Sequence, residues 1–169
     1  MTLLFAAMLG ISRLFVADHE EGGLDGFLLA PTDRTALLIA KALALFAFLA
    51  AVEVIAVPAF ALMLLGPSPP IGAYAGLAAL LALSDAGIAL VGTLVGAMAV
   101  QTRTRDLIVP LMALPLLIPV VIAAAKGTTP LVLGAGSKGL EAKWLLVLGL
   151  YDLIFGLLAF ALFDYLIED

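Results

Sequence analysis

Residues 71–100, IGAYAGLAALLALSDAGIALVGTLVGAMAV, carry a single charged side chain, Asp85, in thirty consecutive positions. At about 1.5 Å per residue a helix of this length reaches about 45 Å, enough to cross the roughly 30 Å hydrocarbon core of a bilayer. Lipid offers no partners to backbone N–H and C=O groups, so the stretch is expected to be a transmembrane helix that bonds internally, and not a barrel strand. Working outward, Thr35 to Leu65, Leu107 to Ala125 and Trp144 to Phe163 are runs of the same kind. They make four complete spans. Met1 to Val16 has the same apolar character but would reach only about 24 Å, and is expected to be a span cut short. A signal peptide competes for that segment, yet no basic run precedes it and no small-residue cleavage site follows.

Composition agrees. With 64% hydrophobic and 12% charged residues and a mean hydropathy of +1.24, 169 residues do not have enough polar side chains to cover a water-facing surface. The fold expected is all-α, a polytopic transmembrane bundle forming one domain over 1–169. The formal charge of −5 comes from acids in loops and at the C-terminus, and it does not suit a nucleic-acid partner. The absence of cysteine excludes disulfides, zinc-thiolate sites and iron-sulfur ligation.

The loops assign sides. Arg13, Arg34, Lys41, Arg103 and Arg105 fall with the acidic segment DHEEGGLDGFLLAPTDR (18–34) and the loop QTRTRD (101–106), while Lys126, Lys138 and Lys143 fall on the other side. Basic loops favour the cytoplasm. The elbow 17–34, QTRTRD and the tail LIED are therefore expected inside, and GPSPP (66–70) and a loop over 126–143 outside. Trp144, Tyr165 and Tyr74 sit near span ends, as interface anchors do, although packing alone also explains them. In the elbow, Gly22, Gly23 and Gly26 permit turns, and LDGFLLAP reads as a short amphipathic helix stopped before Pro31. Thr32, Asp33 and Arg34 offer capping for the next helix. Leu24, Phe27, Leu28 and Leu29 would press on lipid or on a partner, with Asp18, Glu20, Glu21 and Asp25 alongside. A solvated loop is the plainer alternative.

Three acids fall inside spans: Glu53, Asp85 and Asp152. A carboxylate at mid-bilayer costs about 2.5–3.5 kcal/mol on insertion scales, so each must face protein or water or be protonated. They are candidate transport-pathway groups; a protonated acid bonded to a neighbouring helix is the structural alternative. Lys41 lies roughly 18 Å along its helix from Glu53, too far to pair, and is expected to snorkel towards the interface. Pro110, Pro115 and Pro119 each remove a donor from one span, which is expected to be kinked or locally unwound. Gly87, Gly92 and Gly96 are read as one small-residue face for helix packing. His19 and the methionines Met8, Met63, Met98 and Met112 are haem ligands in principle, but no cofactor is expected to be held by this chain. No Walker A loop and no metalloprotease or serine-hydrolase motif occurs, so no enzymatic site is expected and any ATP must be spent on another chain.

The run RLFVADHEEGGLDGFLLAPTDRTALLIAKAL (13–43), then GIALVGTLVGAMAV (87–100), TRTRDLIVPLMALPLLIPVVIAA (102–124) and LYDLIFGLLAF (150–160), resembles haem exporter protein B, the CcmB family, over nearly the whole chain. The likeness rests on Gly22, Leu24, Leu28, Leu29, Pro31, Lys41 and the three prolines in their order. It implies a permease with type-2 ABC exporter architecture in the bacterial inner membrane. It also implies a separate ATPase subunit, a haem-handling membrane partner, and haem as cargo. In that setting 17–34 would be the coupling helix for the ATPase, through Asp18, Glu20, Glu21, Leu24, Asp25, Phe27, Leu28, Leu29 and Arg34. The family would carry an interfacial helix and a complete span before residue 1, so the chain is expected to be N-terminally incomplete, with one partial and four complete spans. Asp85 departs from the small or apolar residues the family favours there. A proton-coupled carrier using the three acids, and a non-transporting subunit of a membrane assembly, are the rival expectations.

Overall fold

The computed structural model describes residues 5–11, 34–65, 71–100, 105–135 and 140–166. All its regular elements among these residues are helical. A short helix α1 covers 5–11. The long helices are α2 (Arg34–Phe60), α3 (Tyr74–Val100), α4 (Arg105–Pro130) and α5 (Ala142–Leu166). A π-helical turn, Ala61–Leu65, prolongs α2, another, Leu131–Ala135, prolongs α4, and a 3₁₀ turn, Ile71–Ala73, leads into α3. Four of these helices are long and apolar enough to cross a membrane, over Ala36–Met63, Ile71–Ala99, Val109–Leu133 and Ala142–Leu162. All four of the expected spans thus begin within two residues of the helices found, as apolar length alone dictates. Of the expected partial span Met1 to Val16, only 5–11 is described.

α3 is the axis. It packs against α2, α4 and α5, and α5 also touches α2 and α4. Most of α3 is buried, whereas α2 and α5 turn most of their side chains outward. The core is built from Leu80, Ile88, Val91 and Val95 of α3 with Leu45 and Leu49 of α2, Leu117 and Val120 of α4, and Leu148 of α5. Outward-facing Val54, Ile55, Leu111, Leu146 and Leu157 are the lipid-facing side chains of the outer helices.

Glycines set the register. A Cβ on Gly76 would lie 3.2 Å from Leu131, one on Gly127 2.9 Å from Leu80, and one on Gly87 3.4 Å from Val120. α3 and α4 therefore run antiparallel in constant register. On another side, Gly149 approaches Leu83, Gly156 approaches Leu90, and Gly87 approaches Tyr151 and Asp152, so α3 and α5 run parallel. Gly92 meets Ile11 of α1 and Leu45 of α2 at 2.7 Å. This corrects the expectation that the glycines share a face: Gly87 opens towards α4 and α5, Gly92 towards α1 and α2. Five residues of helix turn by about 140° beyond one full turn, and that rotation separates them.

One further expectation is corrected. The span beginning at Leu107 does not end at Ala125, because α4 continues to Pro130 and its π turn to Ala135, so most of the loop expected over 126–143 is helical. Of the kink or local unwinding expected at Pro110, Pro115 and Pro119, the unwinding is not seen: α4 is helical through all three.

Candidate functional site

The acids inside the spans form one layer. Glu53, Asp85 and Asp152 lie ten, fourteen and ten residues from the span ends Met63, Ile71 and Ala142. At about 1.5 Å per residue their depths fall within about 6 Å of one another. The helix register reinforces this: the α2–α3 contact at Leu45 and Gly92, carried along two antiparallel helices, sets Glu53 opposite Asp85. Asp85 is 1% exposed.

α3 nevertheless divides the layer. Asp85 and Gly87 are two residues apart and point about 200° from each other around the helix. Asp85 shares its face with Gly92, the face packed by α1 and α2. Gly87 opens the opposite face, where a Cβ would lie 2.7 Å from Asp152 Oδ1 and 3.4 Å from the Tyr151 ring. The structure brings Glu53 and Asp85 together on one side of the axis, and places Asp152 with Tyr151 on the other.

Neither side is satisfied by the described residues alone. Glu53 Oε1, Asp85 Oδ1 and Asp152 Oδ1 are buried without a hydrogen-bond partner among the described residues. The nearby hydroxyls do not serve them: Ser84 donates to the Leu80 carbonyl and Thr93 to the Ala89 carbonyl, both at 2.7 Å in their own helix. A buried, unpartnered carboxyl oxygen is costly and is kept where something else supplies a proton or a donor. The layer is thus suited to accepting hydrogen bonds or protons from a cargo, from water or from an adjoining helix. No grouping of three His, Cys, Asp or Glu side chains fit to hold a metal ion occurs among the described residues.

Tyr151 braces the Asp152 side. Its hydroxyl donates to the Leu116 carbonyl of α4 at 2.6 Å, and its ring stacks on Phe155 with centroids 4.4 Å apart. Leu116 adjoins Pro115, whose carbonyl loses its usual N–H because residue 119 is proline. α5 thus bonds to α4 one residue from the carbonyl that Pro119 leaves without its helical donor. No local pattern marks this pairing beyond a tyrosine next to a mid-span acid.

The other predicted residues divide as follows. Asp18, Glu20, Glu21, Leu24, Asp25, Phe27, Leu28 and Leu29 of the elbow lie outside the described residues, as does His19. Arg34 opens α2. Lys41, expected to snorkel, is instead 5% exposed and packed within the bundle. Met63 and Met98 face outward, while Met112 packs against the core. A second polar feature escaped notice in the sequence. At the end of the bundle where α4 finishes and α5 begins, Lys126 and Lys143 both lie over the Trp144 ring, 5.6 and 5.1 Å from its centroid.

The family model described as CcmB protein matches residues 1–165. Among curated relatives, heme exporter protein B of Rhodobacter capsulatus is 36% identical over 123 residues, covering 73% of this chain and 55% of that protein. Heme exporter protein B of Bradyrhizobium diazoefficiens is 33% identical over 153 residues, covering 90% and 68%. The namesake from Pseudomonas aeruginosa is 32% identical over 142 residues, covering 84% and 62%. The chain spans between about half and two thirds of the length of these relatives. No solved structure matches.

Proposed function

The chain belongs to the CcmB protein family, and from that premise we propose that it is a membrane-spanning permease subunit for haem export or handling in cytochrome c maturation, powered by an ATPase on a separate chain. The family match over residues 1–165 carries this reading, and the name shared by the relatives supplies the cargo. The four apolar helices supply a body able to cross a membrane. The absence of a Walker A motif from the sequence agrees with ATP being bound elsewhere. In this reading the complex is of the ABC type in the bacterial inner membrane, with a haem-handling membrane protein as a further partner. The elbow 17–34 is the docking point of the ATPase, with Leu24, Phe27, Leu28 and Leu29 as its apolar grip. Because α2 follows the elbow directly and packs on α3, a push on the elbow is passed to the axis of the bundle. The acid layer then lies on the path that the movement opens.

The test is co-purification of the chain with its candidate ATPase, comparing wild type with Leu28→Asp. Loss of association and of stimulated ATP hydrolysis is expected. Normal values of both would reject the docking site.

Asp85, buried with an unpartnered oxygen beside Glu53, favours one other reading, a proton-coupled carrier. Unchanged ATP-driven function in Asp85→Asn would reject it.

A further inference from the structure

The cluster around Trp144 has no part in the reading above. Gly127 of α4 lets the two helices close: a Cβ there would lie 3.3 Å from Trp144 Cβ and 2.9 Å from Leu80. That approach places Lys126, one residue earlier, above the indole of α5, while Lys143 covers it from the adjoining position in the chain. Two ammonium groups from different helices thus converge on one ring. Among the described residues only Glu141, paired with Lys143, offsets them, leaving an excess of positive charge. Both members of that pair stay largely exposed, at 63% and 52%. Each ammonium turns one side to the ring and keeps N–H groups free for another acceptor. The Thr128 and Thr129 hydroxyls donate to the Ala124 and Ala125 carbonyls, so they add no competing donor to the cluster.

The surroundings say what the acceptor is attached to. Directly below the lysines, Leu146, Leu150, Leu153 and Leu157 form an outward stripe on α5, and Leu111, Leu114, Ile118 and Ile122 form one on α4. A cationic, aromatic head continuous with an apolar stripe matches an amphiphile in both charge and length. We propose that Lys126, Lys143 and Trp144 form a site for the phosphate headgroup of an anionic phospholipid, whose acyl chains lie along α4 and α5. Snorkelling lysines beside an interfacial tryptophan would hold the helix end at the interface with any lipid. The site proposed is selective for negative headgroups.

Trp144 is the sole tryptophan of the chain, so it reports on its own site. The full 169-residue chain is reconstituted in phosphatidylcholine vesicles in which brominated phosphatidylglycerol or brominated phosphatidylcholine replaces an equal mole fraction, and quenching of Trp144 is compared. A preference of about fivefold for the phosphatidylglycerol is expected, the contribution of about one lysine at an anionic surface. Lys126→Gln with Lys143→Gln should bring the two lipids to parity, and Glu141→Gln should widen the wild-type preference. Equal quenching in wild type overturns the site, as does a preference that survives the double lysine variant. Inorganic phosphate added outside and inside the vesicles should leave the preference intact; its abolition at millimolar phosphate would mean a soluble-anion site and would equally overturn the lipid assignment.

Discussion

Asp152 Oδ1 of α5 lies 2.7 Å from the point where a Cβ would stand on Gly87 of α3. The missing side chain at residue 87 is what makes room for a carboxyl group in the middle of the bundle. Gly87→Ala must turn that carboxyl aside and press on Tyr151 and Val120. Overpacking of this kind costs about 1–3 kcal/mol. The loss should shrink by at least about 0.5 kcal/mol when Asp152→Ala is already present, since neighbouring residues couple. Reversible unfolding in mixed micelles measures both values, and purely additive losses would contradict the contact.

Tyr151→Phe removes the hydroxyl that reaches the Leu116 carbonyl and leaves the ring in place. Inter-helix hydrogen bonds within membranes average about 0.6 kcal/mol, so only a small destabilisation is expected. A sharper readout is the isotope-edited infrared band of a labelled Leu116 carbonyl, which should move to higher frequency in the variant. An unmoved band would show that α4 does not lean on this bond.

Asp85→Leu replaces an acid whose Oδ1 is unpartnered with a side chain suited to the centre of α3. The variant should be as stable as wild type or more stable, by up to about 3 kcal/mol. Asp152→Leu is not expected to behave alike, because the larger side chain would collide with the backbone at Gly87. A marked loss of stability in Asp85→Leu would mean that Asp85 is held by a partner after all.

Gly92→Val should detach α1. The added carbons would enter space filled by Ile11 and Leu45, both 2.7 Å from a Cβ at that position. Cysteines introduced at positions 7 and 95 for spin labelling should report a wider separation of α1 from α3 in the variant, while the α3–α5 separation is kept. An unchanged α1 separation would count against the packing described for 5–11.

How much of this was legible in the chain itself varies with the physics. Span existence follows from unbroken apolar length, which is why 71–100 was read from end to end as it occurs. The far end of α4 is not legible in this way, because Lys126, Gly127, Thr128, Thr129 and Pro130 look like the residues that stop a helix. In the bundle each is accommodated. The ammonium lies over Trp144, the glycine is a contact point, and both threonine hydroxyls bond back to their own helix. The burden of the three acids was legible too, since carboxylates are conspicuous in apolar runs. Their division into two sides was not, for it depends on the rotation of α3 between Asp85 and Gly87. Contacts such as Tyr151 to Leu116 join residues 35 apart and leave no local pattern to read.

The parallel pairing of α3 with α5 has a consequence for biosynthesis. The groove at Gly87 and the space beside Leu83 and Leu90 are filled by α5, which is made two helices after α3, so the middle of the protein enters the bilayer with one flank bare and must wait there. A ribosome stalled anywhere before residue 142 would leave that flank open to other membrane proteins. The arrival of α5 is thereby written into the packing of the central helix, where a quality-control protease could read it.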